Sequence, residues 1–304
     1  MLVVQGLRLV ALLVVVACSG TGRRDPAPDP DIKWPLIIDS HVHVSYWPVA
    51  DSLARAGIGA VADLAAPEAS LGTRSPLTVI AAGPMLTRPD GYPLDSWGHE
   101  GYGIPCADIA CVAATIDRLA DRGARVIKLA LGDHGLDPAL VGPAVARAHT
   151  RGLKVAVHAL DDASAKLAGD AGVDVLAHTP VERLSDATIA AWRGKAVIST
   201  LAAFDAPAAP DNLRRLRAAG CTILYGTDLG NLRDAGPSLQ EIALLRQAGL
   251  DDAAITAAMT TTPAAFWSLP AKDASFLLLD RDPRVDASVL LHPKSIWVDG
   301  KRVR

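Results

Sequence analysis

The chain has 304 residues, of which half are apolar and only 4% are aromatic, and its formal net charge is −3. This length allows one large domain with an ample core, and the composition indicates close-packed helices on a buried parallel sheet. The basic residues are scattered and the balance is slightly acidic, which excludes the electrostatic footprint of a nucleic-acid-binding protein, so we expect no nucleic-acid partner.

The N-terminal segment is typical of an exported protein. Residues 1–17 carry one positive charge, Arg8, followed by an apolar stretch too short to span a bilayer comfortably, which predicts a signal peptide. Val15-Val16-Ala17-Cys18 resembles the lipobox of bacterial lipoproteins, in which the cysteine is lipidated; a plain signal peptide with an incidental cysteine is the alternative. Residues 18–33, rich in Pro and Asp, are predicted to form a disordered tether. We therefore expect a cell-envelope protein, anchored to the membrane through lipid at Cys18 and facing the periplasm, at the outer membrane in preference to the inner.

Short apolar runs then alternate with amphipathic segments between residues 34 and 270. Eight runs predict strands, at residues 36–38, 60–64, 78–82, 126–131, 155–159, 173–177, 196–200 and 222–225. Helices are predicted at residues 112–124, 138–151, 161–171, 185–193, 211–219 and 239–248. This alternation predicts an α/β fold, a (β/α)8 TIM-type barrel over residues 34–270. A doubly wound open sheet is the alternative, but the sequence has neither the G-x-G-x-x-G nor the P-loop motif that often accompanies it.

The pattern changes after Pro270. Residues 276–279, 289–291, 296–298 and 301–303 are β-like, and Asp299-Gly300 favours a hairpin turn, so residues 271–304 are predicted to form a small β appendage. Just before this region, Ser238-Leu-Gln-Glu241 indicates a capping box, and Asp251 a cap for the helix that follows. Cys106 and Cys111 are close enough for a disulfide, which the sequence leaves open, and Cys221 is expected to be a small buried hydrophobe.

Ionisable residues fall at the ends of the predicted strands, which in a barrel meet at the catalytic face. His41 and His43 end the first strand in PLIIDSHVHVSYW, where alternate side chains share a face. His158, His178 and Asp228 end the fifth, sixth and eighth strands. A single histidine is more often a hydrogen-bonded core residue, and a single aspartate can cap a turn, but the set together favours a metal site.

Lys128 lies inside an apolar strand, VIKLAL. A lysine in this position is desolvated, which lowers its pKa and leaves a neutral amine unless an acid pairs with it. Such an amine can react with CO2 to give a carbamate, an anionic ligand with two oxygens that can bridge two cations.

These motifs together resemble the amidohydrolase superfamily, in the branch near imidazolonepropionases and zinc-dependent prolidase-like dipeptidases. The resemblance covers about residue 35 to the C-terminus and rests on IDSHVH, VIKLAL, VAVHA, AHT and YGTDLGN, supported later by TAAMTTTPAAFWSL and DASFLLLDRDP. It implies two divalent metal ions, zinc above others, with His41, His43 and Asp228 on one ion. It assigns His158 and His178 to the other ion and carboxylated Lys128 as the bridge. Members usually begin with a segment that supplies half of a β-sandwich, so the small domain here is expected to be reduced to C-terminal strands.

The resemblance further implies a binuclear amidohydrolase that cleaves an amide-type C–N bond of a small substrate, a dipeptide or N-acyl amino acid being favoured. A metal-bridging hydroxide would attack, with Asp228 as the catalytic proton acceptor and donor. A mononuclear deaminase or a cyclic-amide hydrolase acting on an imidazolone or lactone is the alternative; deaminases of this superfamily place a glutamate just after the fifth-strand histidine, whereas His158 precedes Ala-Leu-Asp-Asp. A non-catalytic envelope binding lipoprotein is the alternative of another class. The substrate, the metal and the oligomeric state stay open.

The longest predicted loop follows the third strand, at residues 83–111, and contains RPDGYPLDSWGHEGYG. Aromatic residues flanked by glycines favour a mobile lid over the metals, with an ordinary surface loop as the alternative. Tyr92, His99 and Tyr102 are predicted substrate contacts, His99 foremost, and His134 after the fourth strand is a further candidate. His149 and His292 are expected to be structural.

Overall fold

The computed structural model describes residues 31–304. The predicted signal peptide, Cys18 and most of the predicted tether lie outside these residues. The helices are α1 (Ala50–Arg55), α2 (Ile109–Asp121), α3 (Pro138–Thr150), α4 (Asp162–Asp170), α5 (Asp186–Ala191), α6 (Leu201–Phe204), α7 (Ala209–Ala218), α8 (Leu239–Gln247), α9 (Asp252–Met259) and α10 (Thr261–Phe266). The strands are β1 (Ile32–Pro35), β2 (Ile37–Val42), β3 (Ile58–Asp63), β4 (Thr78–Ala81), β5 (Met85–Thr87), β6 (Gly103–Pro105), β7 (Val126–Ala130), β8 (Lys154–His158), β9 (Val175–Leu176), β10 (Ala196–Ile198), β11 (Thr222–Leu224), β12 (Phe276–Leu279), β13 (Ser295–Val298) and β14 (Lys301–Arg302).

The fold is mixed α/β and is built around parallel strands. Seven of them form one sheet in the order β11-β10-β9-β8-β7-β5-β6, and β2-β3-β4 form a second. Backbone hydrogen bonds continue between the two sheets, since Ser40 N donates to Tyr225 O at 2.9 Å and Arg125 N donates to Ala81 O at 2.8 Å. All eight predicted strands are confirmed, as β2, β3, β4, β7, β8, β9, β10 and β11.

The parallel strands form where the sequence is apolar enough to be covered on both faces. In β7, for example, every residue is buried, Lys128 included. Several helices begin at a side chain that accepts a hydrogen bond from a backbone N–H in the first turn: Asp108 for α2, Asp161 for α4, Ser185 for α5 and Asp251 for α9. These caps fix where the four helices start and hence where the loops before them must end.

The predicted capping box is only half correct. Ser238 Oγ accepts from Glu241 N at 3.1 Å, as expected. The Glu241 side chain does not reach back to Ser238 N, which instead donates to Tyr225 Oη at 2.7 Å. Glu241 is fully buried and its carboxylate accepts from Leu201 N and Ala202 N, at 3.0 and 2.7 Å, so it caps α6. The Glu241 carboxylate thus binds backbone amides of a distant helix instead of Ser238 N at the start of its own helix.

A third sheet is antiparallel and has the order β1-β12-β13-β14. The hairpin at Asp299-Gly300 is confirmed by the pairing of Val298 with Lys301. Two expectations are wrong. Ile32 and Lys33, assigned to the tether, lie in β1 and pair with β12, so the small sheet is not made of C-terminal strands alone. Residues 289–291, predicted as β, lie in a 3-10 helix, Ala287–Leu291, which Asp286 caps through Ser288 N.

Cys106 and Cys111 form a disulfide between β6 and the first turn of α2, with Cα atoms 5.4 Å apart. Cys221 is a free, buried cysteine, as expected. Within residues 31–304, no helix is both long enough and apolar enough to cross a membrane.

Candidate active site

A cavity of about 340 Å³ lies at the carboxyl ends of the parallel strands. Each of the six predicted metal ligands lines it: five lie at or just after the ends of parallel strands, and Lys128 reaches it from within β7. The lining comprises His41, His43, Met85, Tyr92, Trp97, Lys128, His158, Leu160, His178, Ala203, Phe204, Asp228 and Asn231. The structure therefore brings together side chains that are up to 187 positions apart in the sequence, from 41 to 228.

Two imidazoles converge on one carboxylate oxygen. His43 Nε2 lies 3.2 Å and His41 Nε2 3.5 Å from Asp228 Oδ1, and all three residues are buried. Ligand atoms bound to one zinc ion at 2.0–2.1 Å with tetrahedral angles lie about 3.3 Å apart. The two distances to Asp228 Oδ1 match this spacing, and ligand atoms of the three residues lie within 4.8 Å of one another, so the three side chains could hold one divalent ion.

A hydrogen bond to the ring nitrogen that faces away from Asp228 fixes the orientation of the His41 imidazole. Its Nδ1 lies 2.7 Å from the carbonyl oxygen of Ala177, and because a carbonyl can only accept, Nδ1 must carry the proton. Nε2 then presents a lone pair toward Asp228. This is the usual outer support of a histidine that binds a metal. His178 is held similarly, with Nδ1 3.0 Å from Thr200 Oγ1.

Buried polar atoms without a hydrogen-bond partner are found at this site. Among the described residues they include His41 Nε2, His43 Nδ1 and Asp228 Oδ1. Leaving such atoms unsatisfied is costly, and neighbouring groups or a ligand normally satisfy them. A divalent cation would satisfy His41 Nε2 and Asp228 Oδ1 together, so the residues present fit a metal ion.

Three of the site's histidines, His41, His158 and His178, are held neutral, which metal ligation requires. Burial, reinforced by the charge of Lys128, lowers the pKa of His158 to about 3. Burial likewise lowers the pKa of His41 and of His178 well below the ordinary value. The ring centroids of His41 and His178 are 4.4 Å apart, and those of His158 and His178 are 5.0 Å apart. His158 and His178, the predicted ligands of the second ion, thus lie next to the predicted ligands of the first ion.

Lys128 is almost fully buried beside these rings. Burial lowers its pKa to about 7, although the nearby charge of Asp228 acts in the opposite direction. A substantial fraction of the side chain is therefore a neutral amine at neutral pH, which is the form that reacts with CO2.

Asp228 has an unusual backbone and a fixed side chain. Its φ of 58° lies in the left-handed region, which for a residue other than glycine costs on the order of 1 kcal/mol. Burial acts to raise its pKa, but the electrostatic interactions with His41 and His43 and the hydrogen bond from His43 outweigh burial and hold that pKa below its ordinary value. Asn231 Nδ2 donates to Asp228 Oδ2 at 2.9 Å, which leaves Oδ1 facing the imidazoles.

Asp39 joins the two segments that carry these groups. Its carboxylate accepts from Thr227 Oγ1 at 2.6 Å, from Thr227 N at 3.0 Å and from His41 N at 3.1 Å. The residues before Asp228 are thereby tied to the end of β2. Burial raises the pKa of Asp39 to about 7.

Of the predicted substrate contacts in the long loop, only Tyr92 lines the cavity. Its ring stacks on His158 with centroids 4.7 Å apart, and its hydroxyl accepts from Trp97 Nε1 at 3.1 Å. His99, the foremost predicted contact, is exposed and lies outside the cavity lining, so the structure does not bring it together with the other site residues. Tyr102 is also outside the cavity lining. Its side chain is buried, and its hydroxyl donates a hydrogen bond to Ser45 O.

His134 is likewise outside the cavity lining. Its side chain is 63% exposed and lies 3.4 Å from Asp95, while its backbone carbonyl accepts from Tyr92 N. His134 therefore acts through its backbone, which holds Tyr92 in place. His149 contacts Asp174 at 2.9 Å on the surface, as a structural residue would.

Several lining residues were not predicted from the sequence. Asn231 ends the motif YGTDLGN and could have been found from its position three residues after Asp228. Trp97 lies in the aromatic loop segment RPDGYPLDSWGHEGYG, but its sequence context assigns it no role. Met85, Leu160, Ala203 and Phe204 carry no pattern that separates them from core residues, so only the three-dimensional arrangement identifies them.

No family model and no curated protein matches the sequence. Solved structures do match. A Xaa-Pro dipeptidase with methionine bound in its active site is 19% identical, with a TM-score of 0.76 over 90% of this chain and 87% of that one. An A. niger ochratoxinase is 18% identical (TM-score 0.73; 90% and 83% covered), and a bottromycin amidohydrolase is 22% identical (TM-score 0.70; 91% and 78% covered). At these identities the similarity shows a shared fold, that of amidohydrolase-type enzymes.

Proposed function

We propose that this chain is a metal-dependent hydrolase of the amidohydrolase superfamily that cleaves an amide-type C–N bond of a small substrate. The observation that carries the proposal is the convergence of His41 Nε2 and His43 Nε2 on Asp228 Oδ1 in a buried cavity. His41, His43 and Asp228 would hold one divalent ion, zinc being favoured. Lys128, as a carbamate, would bridge to a second ion held by His158 and His178.

Bound there, the two ions would lower the pKa of a water toward neutrality and polarise the scissile carbonyl. Asp228 is the residue placed to move the proton, because Oδ1 faces the cavity while Asn231 holds Oδ2. Its lowered pKa keeps it ionised, the state that a proton acceptor and a metal ligand both require. Tyr92 and Trp97 cover the imidazoles and limit access of bulk water.

We further propose that the two parallel sheets are parts of one closed (β/α)8 barrel. The backbone hydrogen bonds from Ser40 N to Tyr225 O and from Asp228 N to His41 O support closure between β2 and β11. The bond from Arg125 N to Ala81 O supports closure between β4 and β7, with β5 continuing the third strand. Closure would explain why the first and last ligand segments meet.

The cell-envelope location is proposed from the sequence alone. A lipid anchor at Cys18 would hold the domain at the periplasmic face of the membrane, the outer one being favoured. Incorporation of labelled palmitate into the full chain, and its loss in Cys18→Ser, tests the anchor. Unchanged labelling of that variant would contradict it.

The proposed activity is tested by assaying the purified full chain, metal-free and after reloading with zinc, on a panel of small amides. We expect hydrolysis only after reloading, and none from a His41→Ala/His43→Ala variant. His149→Ala is the matched control, because His149 lies on the surface against Asp174. Amide hydrolysis by the double variant at the wild-type rate would overturn the proposal. One bound equivalent with release of ammonia would instead indicate the mononuclear deaminase.

A further inference from the structure

The cavity lining beyond the six proposed ligands carries no charge. It consists of apolar and aromatic side chains and one amide: Met85, Tyr92, Trp97, Leu160, Ala203, Phe204 and Asn231. Within residues 31–304, every ionic group of the lining is thus one that metal binding would use. The part of a substrate that flanks the scissile bond would meet neutral surface only.

Tyr92 and Asn231, two residues of this neutral lining with polar side-chain atoms, each already make one hydrogen bond within the protein. Tyr92 Oη accepts from Trp97 Nε1 at 3.1 Å, and Asn231 Nδ2 donates to Asp228 Oδ2 at 2.9 Å. What remains is the Tyr92 hydroxyl proton, the second N–H of the Asn231 amide and the Asn231 amide oxygen, which suit a carbonyl or an amide and give no counter-charge for an ion.

The first two backbone amides of α6 offer no substitute for a cation. Helix α6 contributes Ala203 and Phe204 to the lining, but its first amides, Leu201 N and Ala202 N, both donate to the Glu241 carboxylate. The nearest cation in sequence after Asp228 is Arg233, which stacks on the Trp47 ring at 4.3 Å and is not part of the lining. A substrate carboxylate next to the scissile bond would therefore meet no cationic side chain of the lining outside the proposed metal ligands.

We infer that the substrate is a neutral N-acylated amine whose groups beside the scissile bond are apolar or aromatic, without a free carboxylate or ammonium. Tyr92, Trp97 and Phe204 supply three aromatic surfaces for such groups. The inference rests on the proposed hydrolysis and narrows its substrate. It departs from the dipeptides and N-acyl amino acids that the family resemblance favours, because both classes carry a carboxylate that this lining leaves unpaired.

Three compounds with the same scissile acetyl bond test the inference: N-acetylphenethylamine, N-acetylphenylalanine amide and N-acetylphenylalanine. They differ only in hydrogen, carboxamide or carboxylate on one carbon. With the zinc-loaded full chain, we expect kcat/KM of the two neutral compounds to exceed that of the carboxylate by at least about 100-fold. A carboxylate cleaved as well as the carboxamide would overturn the inference and leave the proposed hydrolysis intact.

If no compound is hydrolysed, binding measurements separate the proposed hydrolysis from the inferred neutral ligand class. Quenching of tryptophan fluorescence in the Asp228→Asn variant reports binding, since Trp97 lines the cavity. Tighter binding of the neutral pair without turnover in the wild-type chain would overturn the hydrolysis and support the neutral ligand class. Carboxylate binding at least as tight as that of the amide, or no binding of the neutral pair, would overturn the inference.

A matched pair of variants adds a counter-charge at one lining position. Phe204→Lys places an ammonium in the cavity, and Phe204→Met removes the ring without adding charge. For each variant, kcat/KM of the neutral compounds is divided by kcat/KM of the carboxylate. We expect this ratio to be at least about tenfold smaller in Phe204→Lys than in Phe204→Met. An equal ratio in the two variants would mean that missing counter-charge does not set the preference.

Discussion

The side chains of Asp39 and Thr227 lie 188 positions apart in the sequence and form a buried hydrogen bond of 2.6 Å. The bond fastens the residues before Asp228 to the strand end that carries His41. The position of one proposed ligand relative to another therefore depends on this pair.

Thr227→Val removes the hydroxyl that Asp39 accepts from and keeps the shape of the side chain. We expect the free energy of unfolding to fall by about 1–3 kcal/mol, because a buried acceptor loses a donor. Zinc affinity should fall about 10- to 100-fold, since the outer support of His41 and Asp228 is weakened. Urea denaturation and competition with a zinc chelator measure both. Thr227→Ser keeps a hydroxyl and should stay close to wild type; an equal loss in both variants would contradict the role given to the hydroxyl.

Asp228→Asn tests the proton-moving role. The amide keeps one oxygen for a metal but cannot accept a proton, so we expect kcat to fall about 10²- to 10⁴-fold while metal content stays largely intact. Elemental analysis alongside kinetics separates the two effects. Full activity in this variant would refute the assignment.

Lys128→Met tests the bridging role of the buried lysine. Methionine is a comparable apolar volume in a fully buried strand, so the fold should persist while the bound metal falls from about two equivalents to about one. The control is Lys166→Met, because Lys166 is exposed and pairs with Asp170. Retention of two equivalents by Lys128→Met would show that this residue does not bridge.

Glu241 gives a prediction for the pH dependence of stability. Burial raises its pKa from 4.5 to about 7, so between these values the folded chain keeps a proton that the unfolded chain has released. The free energy of unfolding should therefore fall as pH rises through this range, by about 3 kcal/mol from this group. Glu241→Gln should lack that component, whatever its absolute stability. Urea denaturation of both proteins from about pH 4.5 to about pH 8 measures the difference; parallel curves would contradict it.

Much of this architecture could be predicted from the sequence because its determinants are local. Apolar runs such as VIKLA form strands wherever both faces are covered, and Asp or Ser side chains fix the helix starts. The places of His158, His178 and Asp228 followed from the rule that parallel strands end on one face.

What the sequence could not supply depends on contacts between distant segments. His99 and His134 have suitable side chains, but loop conformation turns both toward solvent, while Tyr92 is held inward by the His134 carbonyl. Glu241 has a local role available at Ser238 and takes a distant one at α6. Phe204 and Leu160 become lining residues only once the helices and strands are assembled.

The most direct test of the account is the metal content of the purified full chain, measured by elemental analysis beside that of His41→Ala/His43→Ala and His158→Ala/His178→Ala variants. The account predicts about two equivalents of divalent metal in the wild-type chain and a loss of metal in each double variant. Wild-type protein that binds no divalent metal after reloading, or double variants that keep the full content, would contradict it.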